Sequence, residues 1–98
     1  MIEFESFDDT MGDILKCPAC DGSNLHQIKV EVFEREEDEL KGLHVVVERK
    51  LATKNDDLNG NPSLRRQGIL IYLKCETCDA NPILSLAQHK GLTLVSFN

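Results

Sequence analysis

The four cysteines of this chain fall in two matching frames, Leu15-Lys16-Cys17-Pro18-Ala19-Cys20-Asp21 and Leu73-Lys74-Cys75-Glu76-Thr77-Cys78-Asp79. A Cys-x-x-Cys turn brings two sulfurs within reach of one ion, and two such turns supply the four soft donors that a tetrahedral structural zinc takes. The predicted metal ligands are therefore Cys17, Cys20, Cys75 and Cys78. Iron held by four thiolates uses the same donors, so the spacing leaves both metals open. Four thiolates around one divalent cation carry a formal charge of about −2, which makes Lys16 and Lys74, one before each pair, candidate outer neighbours.

Other cysteine chemistries fit the pattern less well. A dithiol redox centre uses one pair at the start of a helix, whereas the turn formers Asp21-Gly22-Ser23-Asn24 follow the first pair and the second pair would have no task. Structural disulfides need an oxidising compartment. Met1-Ile2-Glu3-Phe4-Glu5 lacks the basic start and apolar stretch of an export signal, so the expected location is the cytoplasm. No apolar run approaches the roughly 18 residues of a membrane span, and no membrane partner is expected.

The rest of the chain offers no catalytic constellation. His26, His44 and His89 are scattered, no serine or cysteine sits in a nucleophile motif, and no glycine-rich phosphate loop is present. The expectation is a protein without catalytic residues or enzymatic activity.

The elements that must carry the two cysteine pairs are predicted to be strands. Leu25 to Phe33 alternates His26, Ile28, Val30 and Val32 with Gln27, Lys29, Glu31 and Phe33, the mark of a half-buried strand whose polar face is broken only by Phe33. Leu43 to Arg49 reads as a second strand antiparallel to it, with Leu43, Val45 and Val47 on one side. Ile69 to Lys74 is the expected central strand, placing Ile69, Ile71, Leu73 and Cys75 on one core-building face. Ile83 to Gln88 and Leu92 to Phe97 suit a hairpin with Gly91 in a left-handed turn, although Pro82 to Lys90 also tolerates helix. Three segments read as non-regular: the first 16 residues, apart from an extended Ile14-Leu15-Lys16; the acidic run Glu34 to Gly42; and an exposed loop from Asn55 to about Gln67.

With 98 residues the chain fits one domain, residues 1–98, with cysteine knuckles at 15–21 and 73–79 and an insert at 22–72. Its knuckles resemble those of zinc-ribbon, rubredoxin-like proteins. That resemblance implies a mainly β fold, a small antiparallel sheet with two zinc knuckles and, here, a long hairpin insert between them. Most zinc ribbons hold a far shorter insert than the stretch that separates Cys20 from Cys75 here, a difference that loop-closure entropy tolerates because it grows only logarithmically with length. The stretch from Arg65-Arg66-Gln67-Gly68-Ile69 through Cys75-Glu76-Thr77-Cys78 to Gln88-His89-Lys90-Gly91-Leu92-Thr93 also resembles the C-terminal part of short bacterial and phage zinc-ribbon proteins, which supports the metal and the fold.

Charge narrows the partners. The net charge of −6 divides into −9 over residues 1–40 and +3 over residues 41–98. An acidic total disfavours sequence-independent binding to nucleic acid, which rests on cations displacing phosphate counterions. The leading expectation is a non-enzymatic module for a protein partner, the alternative a nucleic-acid-binding accessory protein that uses Arg65, Arg66 and nearby Arg49, Lys50 and Lys54. The candidate partner-binding residues are Arg65, Arg66, His89 and Lys90.

Overall fold

The computed structural model describes residues 2–98, and all regular structure among them is β. Strands β1 (Phe4–Asp8) and β2 (Gly12–Leu15) form a two-stranded hairpin. Strands β3 (Leu25–Glu34), β4 (Leu43–Glu48), β5 (Leu51–Asn55), β6 (Gly68–Cys75), β7 (Ile83–His89) and β8 (Leu92–Phe97) form one antiparallel sheet in the order β5-β4-β3-β6-β7-β8. The expected strands are present, and residues 83–89 are strand rather than helix.

Two elements depart from the sequence reading. The segment expected to be irregular is the β1–β2 hairpin, whose turn is closed by Asp8 Oδ1 accepting hydrogen bonds from the backbone N–H groups of Thr10 and Met11. The sheet also gains β5, reached through a two-residue turn at Arg49-Lys50 with both φ values positive, 52° and 68°. Such turns match the right-handed twist of the flanking strands but favour Gly, Asn or Asp, none of which is present to announce this one. The equivalent turn between β7 and β8 does carry its glycine, Gly91 at φ 80° after Lys90 at φ 50°.

The register gives the sheet two unlike faces. On one, the cross-strand rows Val45-Val32-Ile69-Leu86-Val95 and Val47-Val30-Ile71-Leu84-Phe97 are wholly apolar. On the other, the corresponding rows are His44-Phe33-Gly68-Ala87-Leu94 and Val46-Glu31-Leu70-Ser85-Ser96. The expected core face of β6 holds at its knuckle end, where Leu73 and Cys75 are buried, and fails at Ile69 and Ile71. Leu70, Gly68 and Phe33 are buried on the mixed face, while Ile69 and Ile71 are only half-buried. Phe33, which reads as an interruption of a polar stripe, is among the most completely buried side chains, at 1 % exposure.

What covers Phe33 is the chain between β5 and β6. This segment is a loop, as its composition suggests, and Asp56, Asp57 and Leu64 are exposed, but its second half folds back over the mixed face. Ser63 is buried and its Oγ donates to the Gln88 carbonyl at 2.8 Å, while Asn61 Nδ2 donates to the Arg66 carbonyl at 2.9 Å. Arg35 clasps the segment from below, donating from Nε, Nη1 and Nη2 to the carbonyls of Arg66, Glu39 and Ser63 at 3.0–3.1 Å. Charge-assisted bonds of this kind are roughly twice as strong as neutral ones. The close approach needs Gly68: a Cβ there would meet Asn61 Oδ1 at 2.2 Å and the Pro62 ring at 2.7 Å. Gly68→Ala is therefore expected to lower stability by ~1–3 kcal/mol through overpacking, read as a reduced urea midpoint with an unchanged slope.

Next to this segment the mixed face holds a polar network. Tyr72 Oη donates to Glu31, His44 Nε2 lies 2.9 Å from Glu31 Oε1, and His44 Nδ1 lies 3.1 Å from Asn55 Oδ1. The His44 ring stacks on Phe33 with centroids 4.4 Å apart, and Lys29 Nζ sits 4.7 Å from the centre of the Tyr72 ring. Burial raises the Glu31 pKa, but the hydrogen bonds from Tyr72 and His44 with the Lys29 charge outweigh it and hold the carboxyl below its ordinary value. The bond to Glu31 likewise pushes the Tyr72 phenol up to about 12, from an ordinary 10.0. A raised phenol pKa stabilises the fold fully below pH 10.0, and that contribution is lost as pH climbs through about 12. Tyr72 is the only tyrosine, so tyrosinate absorbance of the folded protein should titrate near 12 and the wild-type alkaline loss of stability should flatten in Tyr72→Phe.

Candidate metal centre

The two cysteine pairs meet because β3 and β6 are antiparallel neighbours. Their shared register pairs Leu25 with Cys75, so the first knuckle, just before β3, and the second, just after β6, emerge at the same end of the sheet. A one-residue bulge at Ile28 sets the approach: Gln27 lies opposite Leu73 while Lys29 lies opposite Tyr72. Beyond the bulge Leu25 and Gln27 share a face with Leu73 and Cys75, whereas Lys29, Glu31 and Phe33 turn to the other. The long insert between Cys20 and Cys75 thus leaves and returns through one strand pair.

All four Sγ atoms lie within 4.8 Å of one another. Cys17 and Cys78 sulfurs are 3.8 Å apart and those of Cys20 and Cys75 are 3.6 Å apart. A tetrahedron with metal–sulfur bonds of about 2.3 Å has edges of about 3.8 Å, so these separations fit one central ion. They are far beyond the roughly 2.05 Å of a disulfide, and all four cysteines are free. The four cysteines are positioned to bind a metal ion.

Backbone N–H groups complete the cage in a repeated pattern. Ala19 N–H donates to the Cys17 sulfur at 3.4 Å, and the amides of Gly22, Thr77 and Ala80, each two residues past a cysteine, favour the thiolates of Cys20, Cys75 and Cys78. Cys75 also accepts from the Cys78 amide, which together with Thr77 and the neighbouring thiols pulls its pKa down to about 6 against desolvation. The Gly22 amide pulls the same way on Cys20, yet the Cys78, Cys75 and Cys17 thiols and desolvation together push that group up to about 12. Four crowded thiols without a cation cannot all ionise, and a divalent ion at their centre removes that conflict while releasing protons.

One backbone bond links the knuckles, Glu76 N–H to the Asn24 carbonyl at 3.0 Å, and each knuckle is closed on itself, the Cys17 and Cys75 amides donating to the carbonyls of Gly22 and Ala80 at 2.9 and 3.2 Å. Gly22, read from the sequence only as a turn former, also makes room for the site: a Cβ there would come within 3.1 Å of Thr77 Oγ1 and 3.2 Å of the Cys20 sulfur. Its signal was its position two residues past the second cysteine of a pair. Of the two candidate lysines, Lys16 reaches Asp21 at 3.3 Å and Lys74 is exposed. No known protein family, curated protein or solved structure matches the chain.

The remaining candidates gather at the other end of the sheet. Arg65, Arg66, His89 and Lys90 line one small cleft of about 60 Å³ together with Glu37 and Gln88, room for about two waters. Both arginines are already answered by the acidic run after β3. Arg65 grips Asp38 through Nε and Nη2 at 2.8 and 2.7 Å and reaches Glu37 at 3.2 Å, and Arg66 pairs with Glu37 at 2.9 Å. The bonds from Arg65 hold the Asp38 carboxyl below its ordinary value. Arg49 and Lys50 turn at the far end of β4, beside Lys29 in register, so they do not extend this group.

Removing one sulfur leaves three donors and an uncompensated cage. Cys17→Ser and Cys75→Ser are each expected to drop metal content well below one per chain and to lose much of the folded population, since a structural site supplies on the order of 10 kcal/mol. Elemental analysis with circular dichroism checks this, and a strong chelator should reproduce the loss in the wild-type chain.

Proposed function

We propose that this chain is a small structural-zinc protein of the zinc-ribbon type that works as a non-enzymatic module for binding another protein in a reducing, cytoplasmic setting. The observation that carries the reading is the closed donor set. Four sulfurs fill a tetrahedron, leaving no position for the water or substrate that catalytic zinc keeps open. Zinc is favoured because four thiolates in two Cys-x-x-Cys turns match its preferred ligands without asking for redox chemistry. On this reading the metal fixes the end of a sheet whose surface does the recognising.

A protein partner is favoured over nucleic acid by where the positive charge is spent. Arg65 and Arg66, the residues best suited to phosphate, are engaged by Asp38 and Glu37, and the net charge is −6. The purified metal-bound chain is therefore expected to carry one zinc and no iron, and to show no salt-sensitive binding to single- or double-stranded nucleic acid. A pull-down from the native cell should retain its protein partners after nuclease treatment. Partners lost to nuclease, with binding that weakens steeply as salt rises, would replace this reading with the nucleic-acid one.

A further inference from the structure

The two apolar rows described above have no cover. Leu73 and Cys75, at the knuckle end of the same face, are buried, but over the two rows no second strand layer packs: the segment between β5 and β6 folds over the opposite face, and strand-to-strand packing of any extent occurs only between neighbours of the same sheet, leaving the β1–β2 hairpin to one side. None of the side chains in the rows is buried, and one outer residue of each row is well exposed, Val47 at 45 % and Val95 at 48 %. A sheet with an apolar face is stable only when a second layer closes a core against it.

The surface area, to which the exposed β1–β2 hairpin also contributes, is larger than a closed core leaves. The chain exposes 7037 Å², whereas a compact protein of 11.0 kDa exposes about 5,600 Å². The excess of about 1,400 Å² per chain, or about 2,800 Å² for a pair, falls in the range of obligate homodimers rather than of transient complexes. The composition agrees. No residue of the two rows is charged or polar, and polar groups stand at the margin: Lys54 beside Val45 on β5, and Gln88 opposite Thr93 on β7 and β8. An uncharged core with a polar rim resembles a protein interior cut in half, while interfaces with changing partners are about as polar as ordinary surface.

We propose that a second copy of this chain covers the face, the two six-stranded sheets packing apolar side to apolar side as a sandwich. An isologous contact requires a self-complementary surface, and rows of Val, Ile and Leu meet this without any charge pairing. Sheets packed this way sit about 10 Å apart with inner side chains interdigitated, which would fill the concavity of about 320 Å³ lined by Ile69, Leu86, Gln88 and Thr93 on this side. The dimer needs only the folded sheet and is independent of the protein-partner reading above.

Light scattering on the metal-bound chain at micromolar concentration should give twice the 11.0 kDa of one copy. The neighbours Leu94 and Val95 supply the matched test, since they stand on opposite faces of β8 with almost equal exposure, 49 % and 48 %. Val95→Lys combined with Val47→Lys should halve the mass while keeping strand content and one metal per chain, and Leu94→Lys should leave the dimer intact. If the double variant fails to fold, isotope-filtered methyl spectra of mixed labelled and unlabelled wild-type chains decide: cross-peaks among Ile69, Ile71 and Leu84 methyls of different copies support the sandwich, and their absence overturns it. A monomeric wild-type chain, which would leave the face to a different protein, also overturns it, as does a folded double variant whose mass does not fall.

Discussion

The structure depends on one strand pairing. The antiparallel register of β3 against β6, with Leu25 opposite Cys75, brings two sulfur pairs far apart in the sequence to the same end of the sheet. Neither partner could manage the site alone. A single Cys-x-x-Cys turn offers two donors, and a sheet of this size closed by no second layer of its own has little core to spare. The strands aim the sulfurs, and an ion at their centre would in turn fix the strand ends. Backbone amides, repeated two residues past each cysteine, let short turns of unlike sequence accommodate concentrated negative charge.

The two ends of the sheet divide the work. At one end the cysteine cage sits within the knuckles, bordered by Gly22 and Thr77. At the other, Arg35, Arg65 and Arg66 bind carbonyls and carboxylates of their own chain, holding residues 61–67 and the acidic run together. Positive charge that reads from the sequence as available to a partner is consumed in holding the fold. Between the two ends, Glu31, His44 and Tyr72 place polar chemistry on the side the intervening segment shelters, opposite the two apolar rows.

Legibility followed physical range. The paired cysteines were plain because their chemistry is local: two donors, one turn, repeated. Strands β3, β4 and β6 were plain because alternation, β-branched content and apolar runs are local as well, whereas β7 also suited a helix. The hairpin β1–β2 and strand β5 were not, since every residue of β1 and β5 is exposed and leaves no apolar period to read, and the Arg49-Lys50 turn adopts left-handed geometry without the usual residues. Which face of β6 is covered could not be read either. Ile69 and Ile71 look more core-like than Gly68 and Leu70, and the choice between them was made by a segment of Asn, Pro and Ser that composition marks as exposed. Its docking rests on Arg35, 31 residues from Arg66, a relation that no local pattern contains.

The bulge at Ile28 gives the chain a counting rule. Side chains alternate across a strand, so the knuckle before β3 and the aliphatic rows beyond the bulge stand on their proper sides only because one extra residue lies between them. Losing or gaining one residue between Leu25 and Val30 would invert the knuckle relative to the rows, and no adjustment of side chains could restore both. The connections at residues 35–42 and 56–67 begin and end on strands already paired in register and carry no such parity. Length variation in descendants of this sequence is thus confined by odd and even numbers in one place and by space alone in the others.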